Sequence, residues 1–499
     1  MRAKKLAPVM RGLSAVTASV MALSIVGVDI ADGYRARIDD FLGTQSYVTN
    51  TDEESARFVS DYATFEDMKA AAKDIAVREG EEGTVIMKND NNVLPLSGKS
   101  VALFGLAAYA PYPYASGDLK AGNEDAVDLV QAFQDAGIEI NQTVMDFYET
   151  GILNEHTEEV PNQWTGEIEI QTAYDNIYVT APGDMTTYQI NEIPPSEFGN
   201  FGAPSDWESQ IDKDNTVGIC VFARGAGESN TYAPGSAVNY AGEETGEDPL
   251  ALSEDELAVI DAAKETCSQV VVLINSGNTM VLTDIAAGGE HEVDGIAYIG
   301  CLNDYQATGV VNVLTGQINA TGALPDTYVA DNASIPAVQN FGGGYYADYE
   351  VVNSDGDDTR YPGTAIENVE AGSFGGTSPT YNGGTYIVEA EGIYVGYKYY
   401  ETRYYDSIAN PDSGAASGAG ATQSDAWNYN EEVIYDFGHG LSYLDYTQEL
   451  RSVNVDCTED GDITAVVAIT NNSDQDGRFL AQLYVQQPYT DYDRENNVE

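Results

Sequence analysis

The sequence predicts an α/β fold, a mostly parallel α/β sandwich domain followed by a partial all-β sandwich. Three observations carry this reading. Continuous apolar runs alternate with helical patterns from residue 64 to about residue 335, as expected of strands covered on both faces by helices. Two helix starts are marked by capping-box sequences, Thr64-Phe-Glu-Asp67 and Ser253-Glu-Asp-Glu256. Beyond Tyr443 the apolar period shifts to two, the signature of a half-buried strand.

After Thr64, residues Phe65, Met68, Ala72, Ile75 and Ala76 fall on one face of the first helix. Thr84 to Met87 and Val101 to Phe104 read as strands, the second ended by Gly105. Leu129 to Phe133 belongs to a helix and Ile138 to Ile140 to a strand. Thr216 to Ala223 is a buried strand. The helix opening at Ser253 turns Leu257, Ile260 and Ala263 inward and feeds a strand from Val270 to Asn275. Ile296 to Ile299 is a further strand, Val310 to Leu314 a helix, and Leu324 to Val329 an extended exit past Pro325. Residues 64–335 therefore form the sandwich domain, and ligands of such a sheet bind at loops that follow strand carboxyl ends.

Residues 336–443 are a Gly- and Tyr-rich extension and connector, with a low-complexity stretch from Ser413 to Ala421. In residues 444–499, Asp462 to Thr470 reads as a strand, Asn471 to Asp474 as a turn and Leu480 to Val485 as a second strand. An immunoglobulin-like sandwich takes about seven strands and ~100 residues, so this segment is expected to be a truncated domain.

At the other end, Arg2, Lys4, Lys5 and Arg11 precede an almost uncharged run from Gly12 to Val28, and Asp29 and Asp32 follow it. That polarity predicts export, with the N-terminus inside. The run is short for a full span of ~20 residues, yet no clear small-residue cleavage site follows. Residues 1–32 are thus an export signal or a membrane anchor, the anchor favoured, and residues 33–63 a polar lead-in. The protein is expected to be extracellular or on the cell surface, touching membrane only through its N-terminal segment.

With 22 basic and 81 acidic residues, the net charge is −59. Like-charge repulsion and the lack of a basic patch exclude nucleic acid as a partner, whereas a neutral sugar is not repelled. Cys220, Cys267, Cys301 and Cys457 lack metal-ligand spacing, and the three histidines stand apart. They read as buried thiols; no metal centre and no cofactor are expected.

Several stretches, in order, resemble family 3 glycoside hydrolases. Gly83-Thr-Val-Ile-Met-Lys-Asn89 with Val93-Leu-Pro-Leu96 looks like that family's entry into its α/β sandwich domain. Ala223-Arg-Gly-Ala-Gly-Glu-Ser229 looks like its acid/base loop, although the family usually carries glycine where Ser229 stands. Leu252 to Glu256, Val270 to Gly277 and Leu314-Thr-Gly-Gln-Ile-Asn-Ala-Thr-Gly-Ala-Leu-Pro325 resemble the elements that follow. Glu391 to Tyr399 and Phe437-Gly-His-Gly-Leu-Ser-Tyr443 resemble the lead into a fibronectin-III-like domain. Each alone is weak, and their order is specific.

The resemblance implies hydrolysis of terminal β-glycosidic, most simply β-glucosidic, bonds of an oligosaccharide or glycoside by retaining double displacement. Glu228 matches the acid/base glutamate, with Glu243, Glu244 and Glu247 as nearby alternatives. Arg224 contacts substrate or forms a structural salt bridge. Lys88 and Asn89 read as packing residues, and Tyr394, Tyr397, Tyr399 and Tyr400 as packing rather than sugar-stacking faces. The family's attacking aspartate sits on a (β/α)8 barrel with Lys-His and Ser-Asp-Trp motifs. No Lys-His pair occurs here, and Ser205-Asp206-Trp207 lies in a turn. Some members are permuted, with the barrel last, and this chain is read as one of those, its barrel beyond residue 499. The alternative is a non-catalytic surface protein that uses the fold for carbohydrate binding or wall attachment.

Overall fold

The computed structural model describes residues 60–112, 126–161, 168–172, 188–225, 237–332, 395–409, 427–456 and 461–484, with residues 235 and 335. The chain divides into two compact units, Met1–Met68 and Lys69–Glu499. In the first, the described residues hold the start of helix α1 (Phe65–Gly83), where Thr64 Oγ1 accepts the Asp67 N–H at 3.1 Å. The N-terminal segment read as a signal or anchor lies outside the described residues. Among the described residues no helix is long and apolar enough to cross a membrane.

The second unit is built on a five-stranded sheet in which, from edge to edge, Val85–Asn89, Gly295–Tyr298, Gln269–Ser276, Thr216–Arg224 and Ser100–Phe104 lie side by side. Its strands are β1 (Val85–Asn89), β2 (Ser100–Phe104), β6 (Thr216–Arg224), β8 (Gln269–Ser276) and β9 (Gly295–Tyr298). β2, β6, β8 and β9 run parallel, and β1 closes one edge antiparallel to β9. Every residue of β6 is buried, as are all but the first of β8. That burial is why both strands read as unbroken apolar runs rather than as alternation. The mostly parallel α/β expectation holds.

Helix α4 (Glu254–Thr266) packs on β6 and β8. Gly218 permits this approach, because a Cβ there would already lie 3.2 Å from Ala263 Cβ and 3.3 Å from Cys267 Sγ. Helix α2 (Leu129–Asp135) packs on α5 (Gln306–Leu314), and α3 (Gln142–Phe147) on β2. Ile138–Ile140 is not a ladder strand. Ile140 makes one isolated bridge to Val101, whose N–H donates to Glu139 O and whose carbonyl accepts the Asn141 N–H, each at 2.8 Å. The stretch is the turn between α2 and α3, too short to extend a ladder.

The apolar face read on α1 is not buried: Phe65, Met68 and Ile75 stay 41–50% exposed. An apolar stripe is covered only where a neighbouring element meets it, and α5 meets α1 further along, at Gly80. A Cβ on Gly80 would run into Gln306 O, and one on Gly309 into Val77 O. The two backbones therefore touch through glycine.

Beyond the sheet, β10 (Tyr328–Val329) pairs with β11 (Val433–Tyr435), beside a small second core of Val329, Tyr400, Trp427 and Val433. Tyr400 is buried, Tyr397 stacks on Phe437 at 4.1 Å, and Arg403 lies over the Tyr399 and Trp427 rings. These tyrosines pack, as the sequence suggested; Tyr394 lies outside the described residues. In the last segment β12 (Tyr446–Val455) forms an antiparallel ribbon with β13 (Ile463–Asn471). The strand read at Leu480–Val485 is not formed over its described residues. The partner of β13 is β12, whose apolar residues Leu450, Val453 and Val455 alternate with polar ones only in part because Leu450/Ser452 is a bulge.

Candidate active-site scaffold

The carboxyl end of β6 is where the sequence placed the chemistry. Residues 226–230, with Glu228, lie outside the described residues, so the site is built here from the residues that flank and support them.

Arg224, the last residue of β6, is only 2% exposed. Its guanidinium forms a two-pronged pair with Glu256, Nη1 to Oε1 at 2.7 Å and Nη2 to Oε2 at 2.6 Å. Nε donates to Pro249 O and Nη2 to Ala251 O, both at 2.5 Å, and Nη1 donates to Ala223 O at 2.8 Å. A guanidinium has five N–H donors, and all five are used within the protein. Of the two roles read from the sequence, the structure shows the salt bridge.

Glu256 occupies the third position of α4. Its Oε2 accepts the Ser253 N–H at 2.9 Å while Ser253 Oγ accepts the Glu256 N–H at 3.3 Å, completing the predicted capping box. The helix N-terminus also favours its negative charge. The one carboxylate therefore caps α4 and neutralises Arg224.

Below this pair sits Glu192, 5% exposed. Its Oε2 accepts the Leu106 N–H at 2.8 Å and its Oε1 the Tyr148 hydroxyl at 2.9 Å. Burial pushes its carboxyl up to about 8, against the pull of those hydrogen bonds and with the nearby Glu256 charge adding to the rise. Glu192 therefore keeps its proton to higher pH than an ordinary carboxyl does. Tyr148 stacks on Tyr109 at 5.2 Å and on Phe147 at 5.1 Å, and burial raises both tyrosine hydroxyls well above their ordinary value. Leu106 reaches Glu192 because Gly105, at φ 91°, turns the chain sharply off β2, where a side chain would meet Val221 O. Glu192, Glu256, Leu106 and Phe222 line a cavity of about 20 Å³, room for one water and far too small for a sugar.

The other candidates are placed plainly. Glu243 and Glu244 are exposed, and Glu247 is half-buried with Oε1 accepting the Glu254 N–H at 2.9 Å. Lys88 pairs with Asp90 and Glu292, each at 2.8 Å, and Asn89 holds both backbone groups of Leu94 at 2.9 Å. Both are packing residues. Ser205-Asp206-Trp207 does not end a strand: Trp207 is buried against Phe104, Phe147 and Phe198, and exposed Asp206 accepts from Gln210 at 3.0 Å. Cys220 and Cys267 are buried free thiols and Cys301 is a half-buried one; burial pushes the last two up to about 11. Sequence reasoning missed Glu192 and Tyr148, which stand among many other acids and tyrosines without any motif. It found Glu256 only as a cap.

A β-glucosidase of Ruminococcus albus is 23% identical over 417 residues, covering 83% of this chain and 32% of that protein. Beta-glucosidase A of Butyrivibrio fibrisolvens is 23% identical over 437 residues, covering 82% of this chain and 40% of that protein. The chain thus spans about a third to two fifths of these relatives. In structure, a β-glucosidase from Paenibacillus barengoltzii superposes with a TM-score of 0.52 at 20% identity, over 81% of this chain and 33% of that one, a likeness of fold. Residues 84–443, which hold the whole five-stranded sheet and the Arg224–Glu256 pair, match the glycosyl hydrolase family 3 C-terminal domain, and the chain belongs to that family.

Proposed function

We propose that this chain supplies the acid/base half of a retaining β-glycosidase, most simply a β-glucosidase, with Glu228 as the acid/base residue. The observation that carries the proposal is positional. The Ala223-to-Ser229 motif starts at the carboxyl end of a fully buried parallel strand, the edge at which α/β sheets do their chemistry. The buried Arg224–Glu256 ion pair stands at the base of that loop. The relatives named above are β-glucosidases, and the family match covers the loop.

In the proposed reaction the Glu228 carboxyl gives its proton to the glycosidic oxygen while an aspartate attacks the anomeric carbon and displaces the aglycone. Glu228, now a carboxylate, then takes a proton from the water that releases the sugar. Retaining enzymes hold the two carboxyl groups ~5–5.5 Å apart. The aspartate belongs to a (β/α)8 barrel outside these 499 residues, in the permuted order. The β12–β13 ribbon begins a fibronectin-III-like domain, and the N-terminal segment exports the protein to the cell surface.

The test is kinetic, in the protein joined to its barrel. Glu228→Gln is expected to lose about 10²–10⁴-fold in kcat/KM for glucosides with poor leaving groups, and far less in kcat/KM for a dinitrophenyl glucoside, whose leaving group departs without a proton. Equal turnover of both by variant and parent would sink the assignment, and no turnover of either substrate by the parent would favour the carbohydrate-binding reading.

A further inference from the structure

We infer that Arg224 and Glu256 are positioning residues that clamp both ends of the excursion carrying the acid/base motif. This rests on the reading of Glu228 given above. The chain leaves the sheet at Arg224 and comes back along residues 249–251 before entering α4. One guanidinium grips both ends of that excursion. It bonds Ala223 O where the chain departs, and Pro249 O and Ala251 O where it returns. Glu256 then ties the same group to the first turn of α4.

The returning strand is anchored separately. The Val281 N–H donates to Leu250 O at 2.8 Å, and Ala251 bridges Val281. Within the excursion, β7 (Ala237–Asn239) pairs parallel with β5 (Tyr188–Ile190) and folds back on residues 243–247, with Asn239 N–H to Glu243 O at 2.9 Å and Thr245 N–H to Ala237 O at 3.0 Å. Glu192 lines the same small cavity as Glu256. Among the described residues Arg224 forms its ion pair with Glu256, and removing that charge strips the clamp of its partner.

A stability role alone does not account for this arrangement. A buried ion pair is weak evidence for stability, because well-packed apolar residues of similar volume serve as well or better. What an arginine does that they cannot is hold three carbonyls and a carboxylate in one fixed fork. A carboxyl group four residues further on must meet a leaving oxygen to within a fraction of an ångström.

The test uses Glu256→Gln, Arg224→Lys and the paired apolar variant Arg224→Met/Glu256→Leu. In the 499-residue chain, hydrogen exchange of the amides in residues 237–252 is expected to quicken while the amides of β6 and β8 stay protected. In the barrel-bearing protein, kcat/KM for poor leaving groups is expected to fall on the order of 10²-fold, while kcat/KM for a dinitrophenyl glucoside, which reports only the step that needs no acid, is kept. A merely structural role would lower both substrates together. Unchanged exchange, or equal loss on both substrates, overturns the inference, as does failure of even Glu256→Gln to fold. The two claims fail separately: a Glu228→Gln variant indifferent to leaving group defeats the acid/base reading, while quickened exchange in the 499-residue chain still stands for the clamp.

Discussion

Glu192 makes the sharpest prediction at the scale of one residue. Its carboxyl sits at about 8 in the folded protein, against an ordinary value of 4.5. Between those values the native state keeps the proton and the unfolded chain has lost it. The native state therefore binds more protons, and stability must fall as pH rises through that window. The slope is at most ~1.4 kcal/mol per pH unit for one proton. Thermal midpoints measured from pH 5 to pH 9 should decline more steeply for the parent than for Glu192→Gln, which carries no titrating group. Parallel profiles would show that Glu192 does not hold its proton. Nothing local marks this residue in the sequence, because its burial is created by Gly105, Tyr148 and the sheet. Arg224 was visible as a candidate, but its partner was not: Glu256 lies 32 positions away, and only the α4–β6 packing brings the two together.

At the scale of elements, most of the sheet was legible. β2, β6, β8 and β9 announce themselves because a strand buried on both faces has no polar positions to confuse with a surface. The α4 capping box was legible for a related reason: its hydrogen bonds lie within four residues. The α1 stripe misled because amphipathic spacing says which residues could be buried, not whether a neighbour arrives. What lets α1 and α5 approach so closely is a pair of glycines, one on each helix, with no periodic signature. Gly309→Ala is expected to destabilise the protein by ~1–3 kcal/mol, since its Cβ has no room beside the α1 backbone. Gly83→Ala, at the open end of the same helix with nothing within 4 Å, should be neutral or slightly stabilising. Urea titrations of the two variants check this, and equal effects would refute the tight α1–α5 contact.

For the molecule as a whole, the family match covers the five-stranded sheet, and under the proposed assignment that domain supplies one carboxyl group. Double displacement needs a second. The 499-residue chain alone is accordingly expected to leave an aryl β-glucoside unhydrolysed, and measured turnover by that chain would contradict the division of labour. The most direct measurement is chemical rescue of Glu228→Ala in the barrel-bearing protein with a dinitrophenyl β-glucoside. That substrate forms the glycosyl-enzyme without acid help, and the variant then lacks the base that activates water. Azide, which needs no base, should raise turnover and yield the β-glucosyl azide with retained configuration. A variant that releases glucose at the parent rate, or that ignores azide, would contradict the assignment of Glu228 as the acid/base of this active site.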